Sequence, residues 1–147
     1  MKKVNCDSDY GRLFLVPSLL GDSRVEDVLP PALGKQLAGI HHYVVEELRT
    51  ARRFLKKVDH TIDIDALNFG LLNEHTAEGD IPALLAPLLE GHDLGLISEA
   101  GTPCIADPGA SLVALAHENG IRVIPLSGPS SIILALMASG FNGQQFR

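Results

Sequence analysis

Short apolar runs alternate along the chain with longer segments whose apolar positions recur at helical spacing. We predict buried strands over five of these runs, at 12–17, 40–45, 68–72, 93–98 and 121–126. Runs that are apolar on both faces are typical of parallel strands covered by helices on either side. The pattern therefore predicts an α/β fold with three layers and a roughly five-stranded, mainly parallel sheet.

The intervening segments carry helix start and stop signals. We predict helices starting near 31 and ending by 39, and over 46–58, 80–90, 108–120 and 130–139. Asp80 is the predicted N-cap of the third and Gly91 follows its end, while Asp107 caps the fourth with Pro108 at its first position. We expect residues 1–11 to be a polar lead-in and 12–147 to form one domain.

Small, polar or charged residues follow each predicted strand. They occupy 17–18, 46–47, 73–75, 98–99 and 127–128. In open parallel sheets, ligands bind in a crevice beyond the carboxyl ends of the strands. The stretch 98–103, S-E-A-G-T-P, lies between a strand and a helix, where small residues let backbone N–H groups approach a ligand closely. We therefore predict a ligand crevice at this edge of the sheet.

The net charge of −6 makes the domain as a whole a poor surface for nucleic acid, so any RNA contact needs a local basic patch. The predicted helix at 46–58 has one, because its basic residues fall opposite its apolar ones. The candidate nucleic-acid contacts are Arg49, Arg52, Arg53 and Lys56, with Lys57 in the same stripe. The alternative is an ordinary solvated helix face.

Other residue types restrict the class of protein. Cys6 and Cys104 have neither the spacing of a metal site nor that of a disulfide framework, which fits a reducing cytoplasm. The histidines show no metal-ligand spacing, so we expect no metal. No apolar run approaches the roughly 20 residues that span a bilayer, so we expect a cytoplasmic protein without a membrane contact.

The segment S-E-A-G-T-P-C-I-A-D-P-G resembles the S-[DE]-A-G-T-P-x-I-x-D-P-G motif of the tetrapyrrole methylase superfamily. The nearest branch is that of the ribosomal RNA small-subunit 2'-O-ribose methyltransferases. The resemblance implies a Rossmann-like N-terminal domain and S-adenosylmethionine as cofactor. It implies a cofactor contact for six residues of this loop: Ser98, Glu99, Ala100, Gly101, Thr102 and Pro103. Family members have a second domain, which we expect to be absent here; a homodimer is the other way to complete the site.

Three further segments are similar to family motifs. The loop after the first strand keeps Pro17, Leu20 and Gly21 at the expected cofactor pocket, and L-S-G-P-S-S contributes Ser130 and Ser131. E-E-L-R at 46–49 stands where the ribosomal RNA branch has E-D-T-R, which makes Glu46 a candidate general base. We expect the neighbouring Glu47 to complement the helix dipole.

The leading hypothesis is therefore an S-adenosylmethionine-dependent methyltransferase that modifies ribose 2'-hydroxyls of ribosomal RNA. One alternative is methylation of a tetrapyrrole, the other substrate class of the superfamily. A second alternative is a non-catalytic domain that binds cofactor or RNA. The basic helix favours RNA over a tetrapyrrole, whereas Leu48 in place of the family threonine leaves room for a domain without chemistry.

Overall fold

The computed structural model describes residues 9–146, and five strands form its sheet. These are β1 Leu13–Val16, β2 His42–Val45, β3 Asn68–Leu71, β4 Leu94–Ile97 and β5 Val123–Pro125. Their order is β3-β2-β4-β1-β5, and every pairing is parallel. Each strand lies inside its predicted segment, so the predicted α/β class is confirmed. Most of the predicted lead-in, residues 1–8, lies outside the described residues.

Within residues 9–146, six α-helices connect or follow the strands. They are α1 Val25–Val28, α2 Leu33–Leu37, α3 Leu48–Val58, α4 Ala86–Leu89, α5 Gly109–Glu118 and α6 Ser131–Ser139. Two 3₁₀ segments, Ile64–Ala66 and Glu78–Leu85, complete the connections. No helix within residues 9–146 is long and apolar enough to cross a membrane.

The predicted α-helix at 80–90 is wrong over its first half. The chain forms a 3₁₀ helix over Glu78–Leu85, and α-helix begins only at Ala86. Pro82 lies inside this segment, and in an α-helix its ring would clash with the carbonyl of Glu78, four residues earlier, so the tighter turns prevail. Asp80 is therefore not the N-cap; Ala77 precedes the segment and makes no side-chain cap. At α5 the N-cap is Pro108 itself, and the Asp107 carboxylate accepts a hydrogen bond from the Gly109 N–H at 2.8 Å.

Alternating side chains of the central strands β1, β2 and β4 bury against helices on opposite faces of the sheet. Val16 and Val45 pack with α2 and α3 through residues such as Leu33 and Phe54. On the other face, the even-numbered residues of β4 pack with the Glu78–Leu85 segment, α4 and α5. The three layers expected from the apolar runs are thus present, with a separate core on each side.

Gly95 makes room for the side chain of Tyr43, the largest fully buried side chain in the core between the sheet and helices α2 and α3. A Cβ at this position would lie 2.6 Å from Cε1 of Tyr43, which is 1% exposed. The two residues are register partners on adjacent strands, so Tyr43 lies across the backbone of β4. Packing of Tyr43 against the sheet therefore depends on glycine at 95.

We predict that Gly95→Ala lowers the free energy of unfolding by about 2 kcal/mol, because the buried Tyr43 ring has to shift. Gly79→Ala is the matched control, since a Cβ there meets nothing within 4 Å. Urea unfolding followed by circular dichroism measures both. Equal midpoints for the two variants would contradict the packing argument.

Candidate ligand-binding cleft

The connections after neighbouring strands leave the sheet toward opposite faces. The chain passes from β1 and β2 to α2 and α3 on one face, and from β4 to α5 on the other. Ile97, the last residue of β4, is in register with both Val16 and Val45, so three central strands end at one level. Diverging connections of this kind open a crevice beyond the strand ends. A cleft of about 280 Å³ lies there.

Three segments line the cleft: residues 18–21 after β1, residues 97–100 at the end of β4, and residues 46–57 on one side of α3. The predicted site residues among them are Leu20, Gly21, Glu46, Arg53, Ser98, Glu99 and Ala100. The other predicted cofactor residues do not line this cleft: Pro17, Gly101, Thr102, Pro103, Ser130 and Ser131.

Ser18 joins the first loop to the loop after β4. Its side chain is buried, and its N–H donates to the Gly101 carbonyl at 2.8 Å. Its hydroxyl donates to the Ser98 carbonyl at 3.2 Å. These bonds fix the two loops against each other and so set the width of the cleft between them. The sequence analysis missed Ser18, whose only signal was its position directly after a predicted strand.

Gly101 is the point where three predicted segments meet. Its φ is +71°, and a Cβ would lie 2.8 Å from Cδ2 of Leu20 and 3.0 Å from the carbonyl oxygen of Pro129. Nearby, a Cβ on Gly128 would lie 2.0 Å from Cβ of Pro17. Gly101, which does not line the cleft, thus packs directly behind Leu20, which does. Glycine is required at 101 both for its conformation and for this approach.

The remainder of the loop after β4 is strained. Cys104 and Ala106 have φ values of 68° and 61°, a left-handed conformation that costs a non-glycine residue about 1 kcal/mol. Residues held this way cluster at functional sites. Burial, with the nearby Asp107 carboxylate, raises the pKa of the Cys104 thiol to about 11. Cys104 is therefore a neutral thiol near pH 7 and not a nucleophile.

Ser130 and Ser131 lie at the start of α6. Ser130 is the N-cap, and its hydroxyl accepts a hydrogen bond from the Ile133 N–H at 3.5 Å. Ser131 is the first helical residue and is exposed. The structure therefore gives Ser130 the capping role, and both residues lie on the Pro129 side of Gly101 rather than in the cleft.

Two adjacent carboxylates at the end of β2 have opposite environments. Partial burial raises the pKa of Glu46, the negative charges of Asp107 and Glu99 raise it further, and a 2.9 Å hydrogen bond from the Glu99 N–H opposes them. Glu47 is the N-cap of α3, and hydrogen bonds from the Thr50 side chain and from the Arg49 and Thr50 N–H groups lower its pKa. The helix-terminal role expected for Glu47 is confirmed. Glu46 has the environment of a proton acceptor.

We predict that Glu46 titrates at a higher pH than Glu47, measured by carboxyl ¹³C NMR. Because the pKa of Glu46 is raised in the native state, the native chain binds more protons than the unfolded one in the window between the ordinary and raised values. The contribution of Glu46 to stability therefore falls as the pH rises through that window. Glu46→Gln provides the assignment control and removes this dependence. The reverse titration order would contradict the described environments.

The basic face of α3 divides into two groups. Arg52 forms an ion pair with Asp65 at 2.6 Å, and Lys56 donates to the His60 carbonyl at 3.0 Å. Arg53 and Lys57 line the cleft, and within residues 9–146 neither forms an ion pair or a side-chain hydrogen bond. The predicted basic stripe is therefore present, but only part of it faces the cleft.

A parallel sheet covered by helices on both faces, with a cleft beyond the carboxyl ends of its strands, defines an α/β domain of the doubly wound class. No family model matches the chain. It is, however, 36% identical over 142 residues, 97% of its length, to the ribosomal RNA small subunit methyltransferase I of Escherichia coli O157:H7. Proteins of the same name from Vibrio cholerae and Mesorhizobium japonicum are 34% and 37% identical over 134 residues, 91% of this chain.

Over most of its length the chain is therefore similar to ribosomal RNA small-subunit methyltransferases, which confirms the resemblance found in its motifs. The aligned stretches cover 47%, 44% and 43% of the three relatives. The chain thus spans about half the length of the curated relatives it matches.

Proposed function

We propose that this chain is a methyltransferase domain that uses S-adenosylmethionine and acts on ribose 2'-hydroxyls of ribosomal RNA. The observation that carries the proposal is the cleft at the ends of β1, β2 and β4, with Glu46 in its wall and Gly101 behind it. The names of the relatives support the RNA substrate. An RNA substrate of this kind implies a cytoplasmic location.

The loop after β4 fits a cofactor of this kind. Glu99 and Ala100 are exposed at the cleft, and Gly101 keeps the backbone free of a side chain where Leu20 and Pro129 approach. An exposed carboxylate at 99 accepts hydrogen bonds from ribose hydroxyls or an ammonium group. We assign cofactor contacts to the loops that meet here, as the motifs predict: Pro17, Leu20, Gly21, Ser98, Glu99, Ala100, Gly101, Thr102, Pro103, Ser130 and Ser131.

S-adenosylmethionine, when bound, supplies an electrophilic methyl group on its sulfonium. The chain contributes position and proton transfer. Glu46 accepts the proton of the acceptor hydroxyl, and its raised pKa makes it a stronger base than an ordinary glutamate. The hydrogen bond from the Glu99 N–H holds the carboxylate at the edge of the cofactor loop. Fixed loops on both sides align the acceptor and exclude water.

We predict micromolar binding of S-adenosylmethionine and S-adenosylhomocysteine in calorimetric titrations of the chain. Gly101→Val should abolish it, because the new side chain meets Leu20 and the Pro129 carbonyl. Gly79→Val is the matched control, since its site is open. Glu99→Gln, at an exposed position, tests the same loop without strain and should weaken binding about tenfold. Unchanged affinity in both loop variants, with unfolding midpoints equal to that of the control, would remove the loop from the site.

We predict that reversing Arg52 and Arg53 to Glu weakens binding of a small-subunit RNA fragment and flattens its dependence on salt. Each lost phosphate contact lowers the slope of log K against log salt by about 0.7 for single-stranded RNA. Arg122→Glu is the control, because Arg122 precedes β5 and so lies at the opposite end of the sheet. A salt slope equal to that of the control would make the helix an ordinary solvated face.

The relatives described above are named for ribosomal RNA, and no feature of the cleft favours a tetrapyrrole. The non-catalytic alternative is separable by measurement. It predicts a chain that binds S-adenosylhomocysteine and RNA but transfers no methyl group to the RNA. If the chain does transfer methyl groups and its Glu46→Gln variant is equally active, Glu46 is not the base. How the cleft is completed, by a homodimer or by the rest of a longer relative, stays a prediction that sedimentation equilibrium tests.

A further inference from the structure

One face of α3 forms a long wall of the cleft. Thr50, Arg53 and Lys57 line it at spacings of three and four residues, which place them along one side of a helix. Glu46 lies just before the start of this helix, at the other end of the same wall. Arg53 lies about 9 Å along the helix axis from Glu47, given a rise of 1.5 Å per residue. The cleft is therefore acidic at one end and basic at the other.

The basic end has no counter-charge of its own. Arg53 and Lys57 are one helical turn apart and repel each other, and no carboxylate of residues 9–146 pairs with either. The adjacent Arg52 and Lys56 have the same spacing but are engaged by Asp65 and the His60 carbonyl. Of these four cations, the two without a partner in residues 9–146 are therefore the two that line the cleft; Arg49 has no side-chain partner there either, but it lies outside the cleft. A bound anion would relieve their repulsion.

The floor between the two ends is apolar. Ala51, Phe54 and Ile97 are buried and line the cleft, together with the partly exposed Leu19 and Leu20. A flat, weakly polar group fits such a floor, whereas a charged group does not. The order along the cleft is a proton acceptor, an apolar floor and a pair of cations.

We infer that the α3 side of this cleft is the binding pocket of the acceptor nucleotide, with its ribose toward Glu46, its base on the apolar floor and a backbone phosphate on Arg53 and Lys57, while the loops after β1 and β4 hold the cofactor on the other side. The inference rests on the proposed function and adds the part of the substrate that is held and the residues that hold it. S-adenosylmethionine carries a net positive charge, so the two cations disfavour it at this end and favour a phosphodiester.

Arg53 and Lys57 differ from Arg52 and Lys56 in lining the cleft, although all four also line a neighbouring depression with Asp63 and Asp65. Arg52 and Lys56 lie outside the cleft, and any contact they make to RNA is to backbone beyond the acceptor. Arg53 and Lys57, here called the pocket pair, bind the phosphate beside the reacting ribose. The pocket therefore favours a nucleotide within a strand over a free nucleoside.

The test uses a single-stranded RNA trinucleotide titrated into the chain and followed by amide shifts in NMR, with and without saturating S-adenosylhomocysteine. Arg53→Gln with Lys57→Gln should weaken binding at least tenfold. Arg52→Gln with Lys56→Gln removes the same charge from the same helix and should change it less than twofold. Equal losses in the two pairs would overturn the pocket in favour of diffuse electrostatics.

A trinucleotide with uncharged methylphosphonate linkages isolates the phosphate. The pocket variant and the unmodified chain should bind it alike, because the partner of Arg53 and Lys57 is gone. A variant effect that persists with this analogue would overturn the phosphate contact. Competition between the trinucleotide and S-adenosylhomocysteine would assign the cleft to the cofactor instead and also overturn the inference.

The same titrations separate the inference from the proposed function. If S-adenosylhomocysteine binds but the affinity for the trinucleotide does not depend on the pocket pair, the inference fails and the proposed function stands. If the trinucleotide depends on the pair but neither cofactor form binds, the methyl-transfer proposal fails and the nucleotide pocket stands. Thermal unfolding of every variant verifies that the loss is local.

Discussion

The sheet must be covered on both of its faces, and this requirement determines where the cleft lies. Parallel strands need crossover connections, and the chain places β4 between β1 and β2 while sending its crossover to the opposite face. Loops that diverge at the end of β4 cannot fill the space between them. The cleft at Ile97 is therefore a consequence of strand order. The residues around it determine only its chemical character and its width.

The divergence places groups of opposite character side by side. Glu46 and Glu47 are consecutive, yet one follows a strand and faces Glu99 while the other begins a helix and caps it. The pKa of the first is raised and that of the second is lowered. A transition from strand to helix thus separates a chemical role from a structural one within two residues.

The sequence analysis located the strands because each is an apolar run bounded by polar residues, a signal contained in the segment itself. It could not order them, since pairing depends on contacts between distant segments. The helix at 80–90 was mispredicted because apolar spacing alone does not separate α from 3₁₀ turns when Pro82 intervenes. The same holds for the site. Motifs within single segments identified the loops. The contacts of Ser18, and the fact that Arg53 lines the cleft while Arg52 pairs with Asp65, depend on segments distant in sequence.

Leu20 has one side toward the cleft and the other against Gly101. Two ligands, one in the cleft and one on the loop after β4, would share this side chain as a common wall. If one ligand displaces Leu20, the volume available to the other ligand changes. Thermodynamic linkage makes that effect reciprocal, so each ligand alters the affinity of its neighbour by the same factor.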